Sequence, residues 1–375
     1  MKLIKPGSTI GILGGGQLGR MITLAGRNMG YRFITLDPMP DSPCGQVADR
    51  QIIASYSEIE AAKELADSSD VITYEFENVN SNVAAILEST SLVPQGSELL
   101  KITQNRVREK STLQSFNVPI APFMVIQTEK DIRTAIDRFG LPCVMKTATG
   151  GYDGKGQWVI RNRDNISMAM EVWKKAGVEM IMEQFVPFSK ELSVIVARNS
   201  LGQVKTFPVA ENIHMNNILH QSIVPARITD SQRTQAEAIG IKIAESLQAV
   251  GLLAIEMFLT NDGNIIVNEL APRPHNSGHF SMDACMTSQF EQHIRTICGL
   301  PLGDTTLLSP IIMVNILGKH LNRVLEKIDQ LPPAAKLHLY GKDENVENRK
   351  MGHMNLLGST HEQIFEQIKE LQIWD

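Results

Sequence analysis

Residues 252–279 read LLAIEMFLTNDGNIIVNELAPRPHNSGH. Asp262-Gly263 is a two-residue type I′ hairpin signal between two apolar runs. Pairing Asn261 with Asn264 and counting five residues outward on each strand sets Glu256 directly opposite Glu269. Like charges facing each other on paired strands repel. A cation between them removes the repulsion, and two carboxylates completed by water and phosphate oxygens suit Mg²⁺. The bland alternative is one solvated edge glutamate, or a bulge that shifts the register; turn type argues against it by constraining the pairing. Past the second strand, Arg273, His275, Asn276, Ser277 and His279 crowd together. Two histidines four apart suit zinc on a helix, but Asn-Ser-Gly after two prolines does not read as helix, and zinc usually takes three or more ligands. A small-anion site beside a metal fits the cluster better.

A glycine-rich stretch, TATGGYDGKGQ at 147–157, follows the strand-like CVMK that ends in Lys146. It is not a Walker A loop, because no Gly-Lys-Ser/Thr ends it and no helix begins there. Its glycines still permit close backbone approach, and backbone N–H groups with a lysine can wrap a polyphosphate. The plain alternative is a flexible surface hairpin, against which Lys146 argues.

The chain starts with another glycine loop, GILGGGQLGRM at 11–21, between a strand-like and a helix-like run. Gly14-x-Gly16-x-x-Gly19, with Asp37 closing the next apolar run, reads as a dinucleotide fingerprint. Around it, strand patterns at 9–13, 31–36, 71–74 and 91–93 alternate with helix patterns at 17–29, 57–66 and 81–88. That alternation predicts a parallel sheet covered by helices, whose ligands bind at the carboxyl ends of the strands. The glycine loop, Asp37 and the YEFEN stretch at 74–78 converge on that rim. A helix from Asn105 to Phe116 leads to a linker carrying Pro119 and Pro122. A compact α/β segment follows, with strands at 143–146 and 158–160 and helices at 129–139 and 165–176. The rest is β-rich apart from a helix at 231–250, and a last helix after Ser359 carries a capping box with Glu362.

The 375 residues predict two or three domains. A net charge of −5 with mixed signs gives no nucleic-acid or polybasic membrane surface. The scattered Cys44, Cys143, Cys285 and Cys298 argue for a reducing compartment and against a disulfide framework. With no signal-peptide pattern and no membrane-length apolar run, the expectation is a soluble, cytoplasmic protein.

The lysine-ended strand, the second glycine loop, EQFVPFSKELS at 183–193 and the paired glutamates together resemble the ATP-grasp superfamily. Within it, GILGGGQLGRM, TYEFEN, GYDGKGQ, NELAPRPHNSGH and YGK…NRKMGHMNLLG, in this order, look like the 5-(carboxyamino)imidazole ribonucleotide synthase family. The resemblance covers nearly the whole chain. It implies an α/β ATP-grasp fold: a Rossmann-like substrate domain (1–104), a small α/β lid domain with a linker helix (105–190), and a larger α+β domain with the metal site and a β-rich tail (191–375). It implies a homodimer that carboxylates 5-aminoimidazole ribonucleotide with bicarbonate and ATP through carboxyphosphate. The cofactors it implies are ATP and Mg²⁺, two ions during turnover, or Mn²⁺.

Site residues carry over position by position. Arg106, Lys146, the covering loop Gly151, Tyr152, Asp153, Gly154, Lys155, Gly156 and Gln157, then Glu183, Gln184, Phe185, Val186, Glu191, His214 and Asn268 match ATP-contacting positions. Glu256 and Glu269 match the metal ligands. Tyr152, Asp153, Arg273, His275 and Asn276 match positions around the reacting groups, with His275 and Asp153 the candidates for taking the amine proton. Gly15, Gly16, Gln17, Leu18, Asp37 and Glu75 face the ribonucleotide, Glu75 being preferred to Glu77, and Lys342, Arg349 and Lys350 look like its phosphate clamp. Two departures matter. Ala271 stands where many ATP-grasp enzymes have asparagine, and GKDENVENRK at 341–350 is unusually acidic for the clamp turn. A nicotinamide dehydrogenase leaves the second loop and the carboxylate pair unexplained. A formate-dependent glycinamide ribonucleotide transformylase is the nearer rival, and a binding module has no need of opposed carboxylates.

Overall fold

The computed structural model describes residues 3–151, 155–343 and 345–374. Among these residues the strands form three sheets. The first is parallel, in the order β3-β2-β1-β4, from β1 (Thr9–Leu13), β2 (Arg32–Leu36), β3 (Arg50–Ile52) and β4 (Val71–Tyr74). The expected strand at 91–93 is not one: Leu92 accepts a single bond from Ile72 N–H, and the fourth strand is the short 50–52 segment. Polar Arg50 and Gln51 on that edge hide the apolar run a strand usually shows.

Helices α1 (Gln17–Asn28), α2 (Ile59–Asp67), α3 (Ser81–Thr90) and α4 (Glu98–Thr103) accompany this sheet, and α5 (Arg106–Ser115) follows. Apolar residues of α2 and α3 pack one face with Leu13, Leu36 and Ile72. The other face, Ile10, Ile12 and Phe33, is covered by α1 and by Phe290, Ile294 and Ile297, about 270 residues downstream. The N-terminal unit therefore shares a core with the last third of the chain.

The second sheet is antiparallel, in the order β5-β8-β6-β7, from β5 (Phe123–Ile126), β6 (Cys143–Thr147), β7 (Gln157–Ile160) and β8 (Met180–Gln184). Its helices are α6 (Glu129–Phe139), with a Thr128–Asp131 capping box, and α7 (Asn165–Ala176).

The third sheet is antiparallel, in the order β14-β13-β9-β11-β12-β15-β17-β16, with β10 paired to β9. It comprises β9 (Phe188–Arg198), β10 (Val204–Thr206), β11 (Ala210–Met215), β12 (Ile218–Val224), β13 (Gly251–Thr260), β14 (Ile265–Ala271), β15 (Ile311–Leu317), β16 (Ala335–Leu339) and β17 (Lys350–Leu357). Because β9 starts at Phe188, the junction expected at 190 falls inside one continuous strand. Helices α8 (Asp230–Ser246), α9 (Ser281–Ala284), α10 (Gln289–Ile297), α11 (Gly318–Glu326) and α12 (His361–Leu371) complete the unit. The cap of α12 is Thr360, whose side chain accepts from Gln363 N–H, not Ser359 with Glu362. No helix of the described residues is long and apolar enough to cross a membrane.

Candidate active site

One cavity of about 680 Å³ runs between the three sheets. At one end lie Gly16, Gln17, Leu18 and Glu75 of the N-terminal rim. At the other lie Arg106, Lys146, Gly151, Lys155, Gln157, Glu183, Gln184, Phe185, Val186, Glu191 and His214. Glu256, Asn268, Glu269, Arg273, His275, Asn276 and Lys350 join them. Gly15, Asp37, Gly156, Lys342 and Arg349 stand outside its wall, and Tyr152, Asp153 and Gly154 lie outside the described residues.

Glu256 does pair with Glu269, though not by the predicted count. The turn has three residues: Thr260 N–H donates to Asn264 O at 2.9 Å, and Gly263 takes φ +86°. That is the three-residue loop with a left-handed glycine, not the type I′ turn. It shifts the register by one, so Met257 faces Val267. A bulge at Asn268 then shifts it back. Two opposite shifts cancel, and the two carboxylates face each other.

The bulge is held by α5. Lys110, fully buried, donates to the Asn268 carbonyl at 2.7 Å, and Glu109 accepts from Leu270 N–H at 3.2 Å. Burial pushes Glu109 up to about 8. Arg106, one turn earlier, contacts Glu269 at 3.0 Å. Sequence reading found Arg106 but not Glu109 or Lys110. The available signal was the i, i+4 spacing of Arg106 and Lys110, which places both on one helix face.

Burial, then the facing Glu269 charge, raises the Glu256 carboxyl to about 7. His275 Nε2 lies 3.4 Å from Glu256 Oε1. Burial, then Arg273, holds His275 well below the ordinary histidine value. His214 Nδ1 lies 3.0 Å from Glu191 Oε2. Burial opposes a charge on His214, but this carboxylate outweighs it and the net shift of the pKa is upward.

Lys146 on β6 and Glu183 on β8 meet at 3.1 Å, with Lys110 at 3.7 Å from the same carboxylate oxygen. Burial opposes the Glu183 charge, but the two lysines win and hold its pKa at about 2. Phe188 and Phe258 stack at 4.6 Å between ring centroids and form an apolar patch of the wall.

At the N-terminal rim the glycine-loop amides already have acceptors. Gly15 N–H donates to Asp37 at 2.7 Å, while the Gly16 and Gly19 amides donate to the two Glu75 oxygens. Gly14 makes the approach possible with φ +112°, where a Cβ would meet the Glu75 side chain. Asp37 also accepts from Met39 N–H and Tyr56 hydroxyl, so its oxygens serve the loop and not the cavity. Burial raises Glu75 to about 7. Glu77 instead grips Arg273 with both oxygens. Lys342, lowered to about 8 by burial and then by Arg349, donates to Lys350 O at 2.6 Å and lies over the Tyr340 ring. Arg20, which sequence reading passed over, reaches the same corner through Gln46, which donates to Gly341 O.

Two sheets gripping a cavity lined by buried lysine–glutamate pairs and opposed carboxylates define an ATP-grasp enzyme, and residues 111–290 match the ATP-grasp domain family. Residues 7–104 match the ribonucleotide synthetase preATP-grasp domain, and 312–367 the phosphoribosylaminoimidazole carboxylase C-terminal domain. The chain is 49% identical over 367 residues to the N5-carboxyaminoimidazole ribonucleotide synthase of Bacillus subtilis (strain 168), covering 98% of this chain and 96% of the relative. It is 42% identical to that of Staphylococcus haemolyticus (strain JCSC1435), covering 94% of each chain. Among solved structures, the ADP complex of an N5-carboxyaminoimidazole ribonucleotide synthetase superposes with TM-score 0.97 at 52% identity, over 100% of this chain and 99% of the other. An Aspergillus clavatus N5-carboxyaminoimidazole synthase with ADP and 5-aminoimidazole ribonucleotide gives 0.90 at 28%, over 97% of each. The chain belongs to the N5-carboxyaminoimidazole ribonucleotide synthase family.

Proposed function

We propose that the chain joins bicarbonate to the exocyclic amine of 5-aminoimidazole ribonucleotide using ATP, giving N5-carboxyaminoimidazole ribonucleotide, ADP and phosphate. One observation carries the reading: a single cavity connects the N-terminal glycine loop to the lysine and carboxylate set between the other two sheets. Two phosphorylated substrates can therefore meet in one enclosure. The relatives solved with ADP, and with ADP and 5-aminoimidazole ribonucleotide, support the same assignment.

In this reading Lys146 and Arg106 hold phosphates, the 183–186 segment lies along the adenine, and Glu191 with His214 takes the ribose hydroxyls. The 151–157 loop covers the phosphates. The Glu256–Glu269 pair fits Mg²⁺: both donors are carboxylates, and the facing Glu269 charge raises the cost of the Glu256 charge until a cation arrives. Among the described residues no group of three or more such side chains stands ready for a metal, so phosphate oxygens and water would complete the coordination. Mg²⁺ supplies charge neutralisation on the phosphates. Bicarbonate is a weak electrophile; an oxygen of it takes the γ-phosphoryl group as ADP leaves, giving carboxyphosphate. Lys146 and Arg273 stabilise the developing charge. The amine then attacks the activated carbon, inorganic phosphate leaves and the amine gives up a proton. Enclosure keeps water from the anhydride. Three units, the first 1–104 and the second ending before β9 at Phe188, a homodimer and a cytoplasmic setting belong to the same proposal.

The direct test is ADP release from Mg-ATP and bicarbonate, with and without 5-aminoimidazole ribonucleotide, followed by identification of the product. Strong stimulation with formation of the carboxylated amine is expected. Stimulation by formate and glycinamide ribonucleotide instead would overturn the substrate. A narrower expectation concerns Glu75. Glutamine has one acceptor for the two loop amides and carries no charge. Glu75→Gln therefore raises KM for the ribonucleotide about 10-fold, about 1.4 kcal/mol, and leaves KM for ATP unchanged; equal shifts in both would place Glu75 outside the ribonucleotide pocket.

A further inference from the structure

His275 is tied into a line of buried polar side chains that crosses the third sheet. Ser222 on β12 donates to Asn212 Oδ1 at 2.8 Å. Asn212 Nδ2, on β11, donates to Ser193 Oγ at 2.9 Å. Ser193, on β9, donates to Ser277 Oγ at 2.8 Å, and Ser277 Oγ lies 2.9 Å from His275 Nδ1. Ser222, Asn212, Ser193 and Ser277 are almost wholly buried. Gln289 grips the His275 backbone at both its N–H and its carbonyl.

Each serine hydroxyl has one proton, so the line has one direction. The Asn212 amide gives its hydrogen to Ser193, which must pass its own to Ser277, which must pass its own to His275 Nδ1. The Ser277 backbone N–H also points at Nδ1, at 3.3 Å, and an amide can only donate. Nδ1 is therefore an acceptor. In the neutral ring the hydrogen sits on Nε2, the atom that faces Glu256.

We infer that Ser222, Asn212, Ser193 and Ser277 form a positioning line that locks His275 in its Nε2–H tautomer, and that His275 thereby aims the Glu256 carboxylate toward the cavity. Neutral His275 then has no lone pair at Nε2 for the amine proton; that nitrogen instead lies 3.4 Å from Glu256 Oε1. The inference rests on the carboxylation reading for what Glu256 does there, but the hydrogen-bond direction stands on the geometry alone. Outer-sphere donors of this kind commonly orient carboxylate and histidine ligands.

Asn212→Asp tests the direction, because it is nearly isosteric and its carboxylate can only accept. The Ser193 proton then turns to the new carboxylate and the Ser277 proton turns to Ser193, so the Ser277 hydroxyl no longer donates to Nδ1 and only the 3.3 Å backbone N–H contact still favours the Nε2–H form. The ring nitrogens of ¹⁵N-histidine-labelled enzyme report the tautomer by NMR, with His275→Gln assigning one of the nine histidines. The expected result is Nε2–H in the wild type and a mixture with a substantial Nδ1–H population in Asn212→Asp, with the other histidine signals unmoved. Mn²⁺ affinity, read by electron paramagnetic resonance without substrates, should fall roughly 10-fold. Ser193→Ala, which adds no charge, should give a mixture of tautomers and covers the case in which Asn212→Asp does not fold. Nδ1–H in the wild type, or unchanged Nε2–H in both variants, overturns the inference and leaves the carboxylation reading intact. A wild type that makes no carboxylated amine overturns that reading and leaves the tautomer result untouched.

Discussion

Glu256→Gln lowers kcat for ribonucleotide-dependent ADP formation by roughly three orders of magnitude, about 4 kcal/mol, yet stabilises the metal-free protein above pH 7. Both effects come from one geometry. Glu256 faces Glu269 across the hairpin, and burial followed by that charge raises its carboxyl to about 7. A carboxyl whose folded pKa exceeds its unfolded value binds more protons folded than unfolded between about pH 4.5 and 7. Stability therefore falls as pH rises through that window and stays low above it. The side chain keeps 20% exposure to the cavity, which limits the loss to roughly 2 kcal/mol. Glutamine has no charge to desolvate, so the fall disappears. Urea unfolding in EDTA across pH 5–8, beside turnover in Mg²⁺, checks both arms. A variant that is less stable than wild type at pH 8, or that keeps its turnover, would contradict the assignment of this pair as a cation site.

The second large effect runs the other way. Glu183→Gln destabilises the protein by roughly 3–5 kcal/mol, the usual result of removing one partner from a buried ion pair. Lys110 and Lys146 share this carboxylate, at 3.7 and 3.1 Å, and Glu183 is nearly inaccessible. Without it, two ammonium groups lie close together in a low dielectric. Lys110, whose pKa burial already lowers, would lose its proton. The wild type also carries a pH signature. Glu183 is held at about 2, below its unfolded value. Its contribution is present above about pH 4.5 and is lost as pH falls toward 2. Acid unfolding of Glu183→Gln should be flatter over that range, and its KM for ATP higher. Denaturant midpoints at pH 7 and pH 3 are the measurement; equal steepness in both proteins would show that the lysines do not depend on this carboxylate.

The parallel N-terminal sheet was legible because its strands are short apolar runs bounded by turn residues, such as Thr9–Leu13 and Val71–Tyr74. The exception was Arg50–Ile52, an edge strand whose polar residues carry no apolar signal. The pairing of Glu256 with Glu269 was legible only because a three-residue turn and a bulge shift the register in opposite directions. Local turn chemistry identifies a hairpin well but does not show a bulge that a distant helix stabilises, and here Lys110 and Glu109 do that.

By itself, then, the sequence determined the elements whose signals are local: strand and helix periodicity, the two glycine loops, the lysine near the end of β6, and the acidic pair of one hairpin. Only the tertiary structure decided which of these groups are bound to one another. Glu75 holds the glycine loop while Glu77 holds Arg273, although the two glutamates stand two residues apart and look alike in sequence. Asp37 is spent on loop amides and the Tyr56 hydroxyl. Phe290, Ile294 and Ile297 close the core of a sheet that begins at residue 9. The reason is physical. Periodicity records which face of an element is apolar, whereas the partner of a buried charge or of an apolar face is set by long-range packing, which leaves no local pattern in the chain.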